Sequence, residues 1–254
     1  MDKKFDDKYY YSYESRSAIR NKGDKPYLYS YWARYFRALK PSGKLLDVGC
    51  GLGFFLKRMQ NIYDSYGVDV SEYSVEETRK VALKARVHIA SATELPFHDD
   101  YFDIITAFDI VEHLENPEVF FREASRLLKK DGMLLISTPN PASLGARIKN
   151  KTENAKDPNL PSKPSYVWIG CVDKTHITIL TPEEWSGIVR RNGFDIVRQG
   201  TDFLWDVPYT KYVPYSIQWL ILMGLTWILV WLNGLYPWKF GENYVCVARK
   251  TKKA

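Results

Sequence analysis

The chain is poor in cysteine, and what it has is not spaced to bind metal. Cys50, Cys171 and Cys246 are its three cysteines in 254 residues, and no CxxC pair occurs. That excludes a disulfide framework and a zinc ribbon and makes a reducing, cytoplasmic compartment the expectation. Met1–Tyr13 is charged and tyrosine-rich and lacks the apolar stretch of a secretory signal. No internal repeat is visible. No stripe of interleaved basic and aromatic residues marks a nucleic-acid partner, so none is expected. The excess is aromatic: 18 Tyr and 8 Trp, gathered toward both ends. Rings with one polar end favour interfaces, ligand pockets and membrane surfaces among them. A net charge of +6 suits an anionic surface without choosing between lipid and nucleic acid. The 45% hydrophobic fraction is ample for a core.

Hydrophobic periodicity divides the chain into alternating strands and helices. Residues 26–39 space aromatics at helical intervals. Strands are predicted over 44–50, 65–70, 87–92, 102–108 and 133–138, with helices over 54–62, 74–85 and from Pro117 to about Lys129, ended by Asp131-Gly132. The segment 140–165 is polar and carries Pro141, Pro158, Pro161 and Pro164. Thr181 is a plausible N-cap for a helix running to Arg191, followed by strands over 194–197 and 243–249. Such alternation implies an α/β fold: a Rossmann-like, seven-stranded, mostly parallel sheet with helices on both faces and an antiparallel last strand. Three regions are expected: an N-terminal aromatic helical lid (1–43), a main domain (44–204 with 241–250), and an apolar insertion (205–240).

The first strand leads into Asp47-Val48-Gly49-Cys50-Gly51-Leu52-Gly53 and then a helix. Alternate glycines allow a sharp turn and close approach of a ligand to a helix N-terminus. A dinucleotide fingerprint would be G-x-G-x-x-G, but the third glycine stands at 53, with Phe54 at the fingerprint position. Asp47 would repel a pyrophosphate and suits an amino group or another cation. Asp69, at the end of the second strand, is placed to accept hydrogen bonds from ribose hydroxyls; its alternative is a strand-end cap.

With LLDVGCGLG (45–53), GVDVS (67–71), ATELPFHDDYFDIITAFDIVEHLENP (92–117) and LLKKDGMLLISTPNP (127–141), the chain resembles class I S-adenosylmethionine-dependent methyltransferases, in particular the group containing ubiquinone- and menaquinone-pathway enzymes. The resemblance covers roughly residues 40–140, with a looser match over 173–194. It implies S-adenosylmethionine as cofactor. Asp47, Gly49, Cys50, Gly51 and Gly53 would surround the methionine end, Asp69 and Val70 the ribose, Ala92 and Thr93 the adenine, and Asp109 the sulfonium. The family's usual acid before Ala92 is replaced by Ser91.

Methyl transfer is an in-line displacement in which alignment and exclusion of water carry much of the acceleration, and a hydroxyl acceptor also needs a base. Asp109-Ile110-Val111-Glu112-His113 resembles the E-x-x-E-H stretch of ubiquinone-pathway O-methyltransferases, where it is associated with a divalent metal. Many relatives carry such a stretch without one, and no metal is expected here. Glu112 and His113 are candidate catalytic residues, or else caps of the strand-to-helix turn. His176 is the candidate base, or else a hydrogen-bonding strut.

From Tyr212 to Trp238 there is no charged residue, and 217–235 is apolar almost all round. Nineteen helical residues would extend about 28 Å, close to a bilayer core. A single crossing would put the sixth and seventh strands on opposite sides of the membrane. An in-plane or re-entrant anchor is therefore expected, with Lys239, Arg249, Lys250, Lys252 and Lys253 meeting anionic headgroups. A buried or dimer-forming helix is the alternative. The resulting expectation is a methyltransferase, peripheral on the cytoplasmic membrane face, acting on a small-molecule or lipid-like acceptor. A silent donor-binding protein and a soluble small-molecule or nucleic-acid methyltransferase are the rivals. No feature points to an oligomeric state.

Overall fold

The computed structural model describes residues 25–147, 167–168, 171–172, 175–202, 212–237 and 239–251. The tyrosine-rich N-terminal stretch, most of the proline-rich segment, Trp238, Lys252 and Lys253 lie outside these residues.

In chain order the elements are α1 (Pro26–Leu39), β1 (Lys44–Val48), α2 (Phe54–Met59), β2 (Asp64–Asp69), α3 (Glu72–Val81), β3 (Arg86–Ile89), β4 (Phe102–Phe108), a 3₁₀ turn (Val111–His113), α4 (Pro117–Leu127) and β5 (Leu128–Pro139). There follow β6 (Val167–Trp168), β7 (Cys171–Val172), α5 (Pro182–Arg191), β8 (Phe194–Thr201), α6 (Tyr215–Asn233) and β9 (Asn243–Lys250). Seven strands form one sheet in the order β3-β2-β1-β4-β5-β9-β8. The first five are mutually parallel, and β9 runs antiparallel to both its neighbours, as the sequence predicts.

Alternate side chains along each strand go to opposite faces. Leu45, Ile104, Leu135 and Val247 join Trp32, Phe36, Phe55 and Leu56 beneath α1 and α2. Leu46, Ile105, Ile136 and Cys246 join Phe120, Phe121, Trp185 and Val189 beneath α4 and α5. Burial on both faces explains why the central strands read as nearly unbroken apolar runs.

Three local features depart from the sequence pattern. The fourth predicted helix ends at Leu127 and β5 starts at once: Leu128 pairs with Phe102, and the register then jumps so that Ile104 faces Met133. The turn residues Asp131-Gly132 are absorbed in that irregularity, with Asp131 at φ 60°. Helix α3 begins at Glu72, two residues before the predicted start at Ser74, because Ser71 caps it by accepting a hydrogen bond from the Ser74 amide at 3.2 Å. A two-stranded ribbon, β6–β7, lies where only an irregular loop is expected. The predicted Thr181 cap is present as a full capping box, with Glu184 Oε2 accepting from the Thr181 amide at 2.7 Å.

Trp185, fully buried on α5 beside Phe121, fastens that helix to the sheet. Trp185→Ala is expected to cost about 3–5 kcal/mol in urea unfolding; a loss under about 1 kcal/mol would remove α5 from the cooperative core.

Candidate active site

The strand order reverses at β1, whose neighbours are β2 on one side and β4 on the other. Ligands of open α/β sheets bind outside the carboxyl ends of the strands at such a switch point. Asp47, Asp69 and Asp109 lie at or just past the ends of these three adjacent strands. Gly49, Gly51 and Gly53 all have positive φ, at 69°, 52° and 76°. At Gly49 a Cβ would overlap the Ile110 side chain, and at Gly53 it would come within 2.7 Å of Thr78 Cγ2, so the loop is closed against both neighbours.

Asp69 ties loop to strand: Oδ2 accepts from the Gly51 amide and Oδ1 from the Ser71 amide, each at 2.9 Å. A carboxylate has about four acceptor sites, so two bonds leave capacity for hydroxyl donors. Asp47 is buried and accepts from Thr106 Oγ1 at 2.7 Å. Burial pushes it up to about 8, with the Asp69 charge adding to the effect and the Thr106 bond opposing it. Burial likewise raises Asp69. Two buried acids unwilling to ionise fit a cationic ligand, which would restore their charge. Cys50 is buried against Thr78, its thiol driven well above the usual range by burial and the two acids, so it lines the loop as an apolar group. Ala92 is buried, and beside it Ser91 Oγ accepts from the Thr93 amide at 3.2 Å, forming a tight turn at the end of β3. Val70, half-buried, follows Asp69.

Asp109 has φ 55°, unusual without glycine. Its Oδ1 accepts from Ser137 Oγ, and its Oδ2 from Lys25 Nζ, both at 2.7 Å. Burial pulls its carboxyl up, but Lys25 and Ser137 outweigh that and hold it below the usual range. No sequence signal pairs Lys25 with a residue 84 positions away; Thr106 and Ser137, polar in apolar strands, were readable in principle.

The acceptor-side candidates come together. His113 and His176 have ring centroids 4.8 Å apart, and His176 Nε2 lies 4.0 Å from Glu112 Oε1. The Ile177 and Thr178 amides both donate to the Glu112 carbonyl, at 3.0 and 2.9 Å, pinning the later loop to the 3₁₀ turn. His113 Nδ1 lies 3.1 Å from the Thr175 carbonyl. The Glu112 side chain is buried, 1% exposed, with Thr138 and its own backbone amide as hydrogen-bonding neighbours. Burial and the Asp109 charge push this carboxyl well above its ordinary range. Glu112, His113 and His176 each offer one ligand atom, all within 4.8 Å of one another.

The family model described as a methyltransferase domain matches residues 24–199. The chain belongs to that methyltransferase family. Its donor is S-adenosylmethionine, as the resemblance implies, and the glycine loop with its two reluctant acids fits that phosphate-free cation. Among similar proteins, a ubiquinone biosynthesis O-methyltransferase of Pelagibacter ubique is 36% identical over 38% of this chain and 42% of its own length. A 27-O-demethylrifamycin SV methyltransferase of Amycolatopsis mediterranei is 33% identical over 46% of this chain and 48% of its own. The chain thus spans about half the length of the curated relatives it matches. A S-adenosylmethionine-dependent methyltransferase from Archaeoglobus fulgidus shares the fold, with a TM-score of 0.62, 22% identity and coverage of 95% of this chain and 100% of that one. Magnesium protoporphyrin IX methyltransferase from Synechocystis, solved with S-adenosylhomocysteine, has a TM-score of 0.57 at 16% identity, over 88% of this chain and 82% of that one.

The raised Asp47 has consequences for pH. Its folded value of about 8 lies above the ordinary 3.8, so its contribution to stability is greatest at low pH and is lost as pH rises through 8. A bound cation favours the ionised form. Donor binding is therefore expected to release a proton between those two values and to tighten as pH rises across them. Calorimetry at pH 6.5 in buffers of different ionisation enthalpy checks this. Asp47→Asn should abolish the release and weaken binding about tenfold or more; wild-type binding without proton release would place the cation elsewhere.

Proposed function

We propose that the protein transfers the methyl group of S-adenosylmethionine to a lipid-like or lipid-linked acceptor, with a hydroxyl as the favoured nucleophile, at the cytoplasmic face of a membrane. The observation carrying the membrane part is α6. Among the described residues it is the one helix long and apolar enough to cross a membrane, and only 13% of its apolar stretch is buried. Ile217, Leu220, Ile221, Leu225, Trp227, Ile228, Trp231 and Leu232 are all exposed along it. An apolar surface that large in water favours a bilayer or another apolar partner.

The topology argues against a single crossing. Strands β8 and β9 flank α6 and pair with each other in one sheet, so both ends of the insertion return to the same body. An in-plane or re-entrant seat satisfies that constraint. The basic residues divide differently from the sequence expectation. Lys250 is buried, its Nζ bonded to Asp100 at 2.7 Å and to the Leu128 carbonyl at 2.5 Å. Because β9 is antiparallel, it carries Arg249 and Lys250 to the sheet end opposite the glycine loop. Lys239 is at the loop end, exposed and paired with the exposed Glu183, with which an anionic headgroup would compete.

The donor supplies an electrophilic methyl on its sulfonium. Asp47 and the glycine loop would surround the cationic methionine end, Asp69 would hold the ribose, and Ala92 and Thr93 would border the adenine. His176 would accept the acceptor's hydroxyl proton. The resulting imidazolium lies beside Glu112, whose reluctance to ionise falls once a positive charge stands 4.0 Å away. His113, bonded at Nδ1 to the Thr175 loop, would fix the His176 ring by contact. That relatives are named for ubiquinone biosynthesis and for phosphoethanolamine methylation supports small acceptors with lipid connections.

Incubation with donor labelled at the methyl group and with fractionated cell membranes should deliver label to the organic phase. Label confined to aqueous small molecules would overturn the lipid-like acceptor. His176→Ala should lower kcat by about 10²–10⁴-fold with donor affinity unchanged; full activity would remove His176 as the base.

A further inference from the structure

Helices α1 and α6 are fastened to each other more closely than α6 is to the rest of the protein. Tyr27 stacks on Trp227 with centroids 5.2 Å apart and an interplanar angle of 11°. Arg34 lies over the Trp231 ring at 4.3 Å and donates to the Trp231 carbonyl. The Tyr31 ring lies where a Cβ at Gly234, the C-cap of α6, would fall. Arg198 joins both helices to β8, bonding the Tyr31 hydroxyl and, at 2.7 and 2.8 Å, the Asn233 side chain and carbonyl.

The other side of α1 faces the donor loop. Its N-cap residue, Lys25, holds Asp109. Tyr29 packs against Phe55, the second residue of α2, and against Phe108, the last residue of β4, with both centroid distances 5.5 Å. The two helices run in the same direction, since Tyr27 meets Trp227 and Arg34 meets Trp231. The residues Tyr215–Thr226 therefore continue past the first turn of α1 for about 18 Å. The exposed Ile217, Leu220, Ile221 and Leu225 belong to that projecting half.

We infer that α1 and α6 act as one unit, and that a bilayer of anionic lipid is the ligand that sets it: seating α6 in lipid holds the N-terminal turn of α1, with Lys25 and Tyr29, against Asp109 and Phe55 and tightens donor binding. This rests on the membrane reading proposed above and adds to it a coupling between lipid and donor. The bilayer is favoured over a protein partner because α6 carries no charged residue and its apolar residues are not confined to one stripe, and because Lys239 stands at the same end of the sheet. The two sites share this unit, so each ligand stabilises the position the other needs, and the coupling is reciprocal.

The test uses the whole chain, S-adenosylhomocysteine as donor-site probe, and vesicles of equal parts phosphatidylglycerol and phosphatidylcholine. Flotation measures membrane binding; calorimetry with and without vesicles measures probe affinity. The wild-type protein is expected to float and to bind the probe about tenfold more tightly on vesicles, within the range typical of coupled sites. The double variant Tyr27→Ala, Arg34→Ala keeps the apolar surface of α6 but loses the stack on Trp227 and the Arg34 contacts to Trp231; it should float and show a smaller vesicle-dependent gain. A wild-type protein that floats with probe affinity unchanged overturns the coupling and leaves the membrane reading standing. A wild-type protein that fails to float overturns both. The wild-type comparison decides even if the double variant does not fold.

Discussion

Two carboxylates buried at neighbouring strand ends set the terms for the donor side of this molecule. Asp47 and Asp69 lie at the carboxyl ends of β1 and β2, and burial raises both. Bringing charge there without a counter-charge is costly, so the ligand that fits is a cation, and a pyrophosphate is disfavoured. The backbone is built around the same pair. Asp69 holds the Gly51 and Ser71 amides and so fixes the glycine loop and the start of α3, while Thr106 reaches Asp47 across the β1–β4 pairing. Binding chemistry and loop architecture are thus one set of hydrogen bonds. Removing either acid changes the shape of the site as well as its charge.

Asp109 is handled differently. It stands one strand further along, in a left-handed conformation, and keeps its charge because Lys25 and Ser137 bond it directly. Its charge in turn helps keep Glu112 protonated. The acids along the switch point are therefore graded: two raised, one lowered by an ion pair, and a fourth raised beside two histidines. Such separation of environments is how one pocket holds acids in different protonation states at one pH. It also gives α1 an electrostatic hold on the site, since the lysine that lowers Asp109 belongs to that helix's N-terminus.

The donor half was legible in the sequence because its signals are local. Strand, glycine turn and helix follow one another within residues 44–59, and the second acid closes the next strand. Fold class followed from strict alternation through Thr138, and the antiparallel last strand from the position of 243–249. What the sequence hid is non-local or defined by register. The start of β5 at Leu128 depends on pairing with Phe102, which no window around Asp131-Gly132 contains. Lys250 reads as a terminal surface lysine until β9 is placed antiparallel, which carries it to Asp100 and the Leu128 carbonyl. Lys25 pairs with Asp109 only because the N-terminus of α1 reaches the end of β4.

The acceptor half shows the same limit in another form. Glu112, His113 and His176 were singled out by residue type, but their convergence rests on backbone bonds from Ile177 and Thr178 to the Glu112 carbonyl, across more than sixty positions of chain. Those bonds close the loop after β7 onto the turn after β4, so the acceptor side is assembled by a long-range clasp, whereas the donor side is assembled by one βαβ unit. The apolar helix extends this division. Its composition was plain from the sequence, but only the pairing of β8 with β9 requires both its ends to return to one sheet, and contacts such as Tyr27 on Trp227 and Arg34 on Trp231 tie it to α1. A surface that a sequence reading treats as a separate insertion is, in the fold, packed against the helix whose N-terminal residue bonds Asp109.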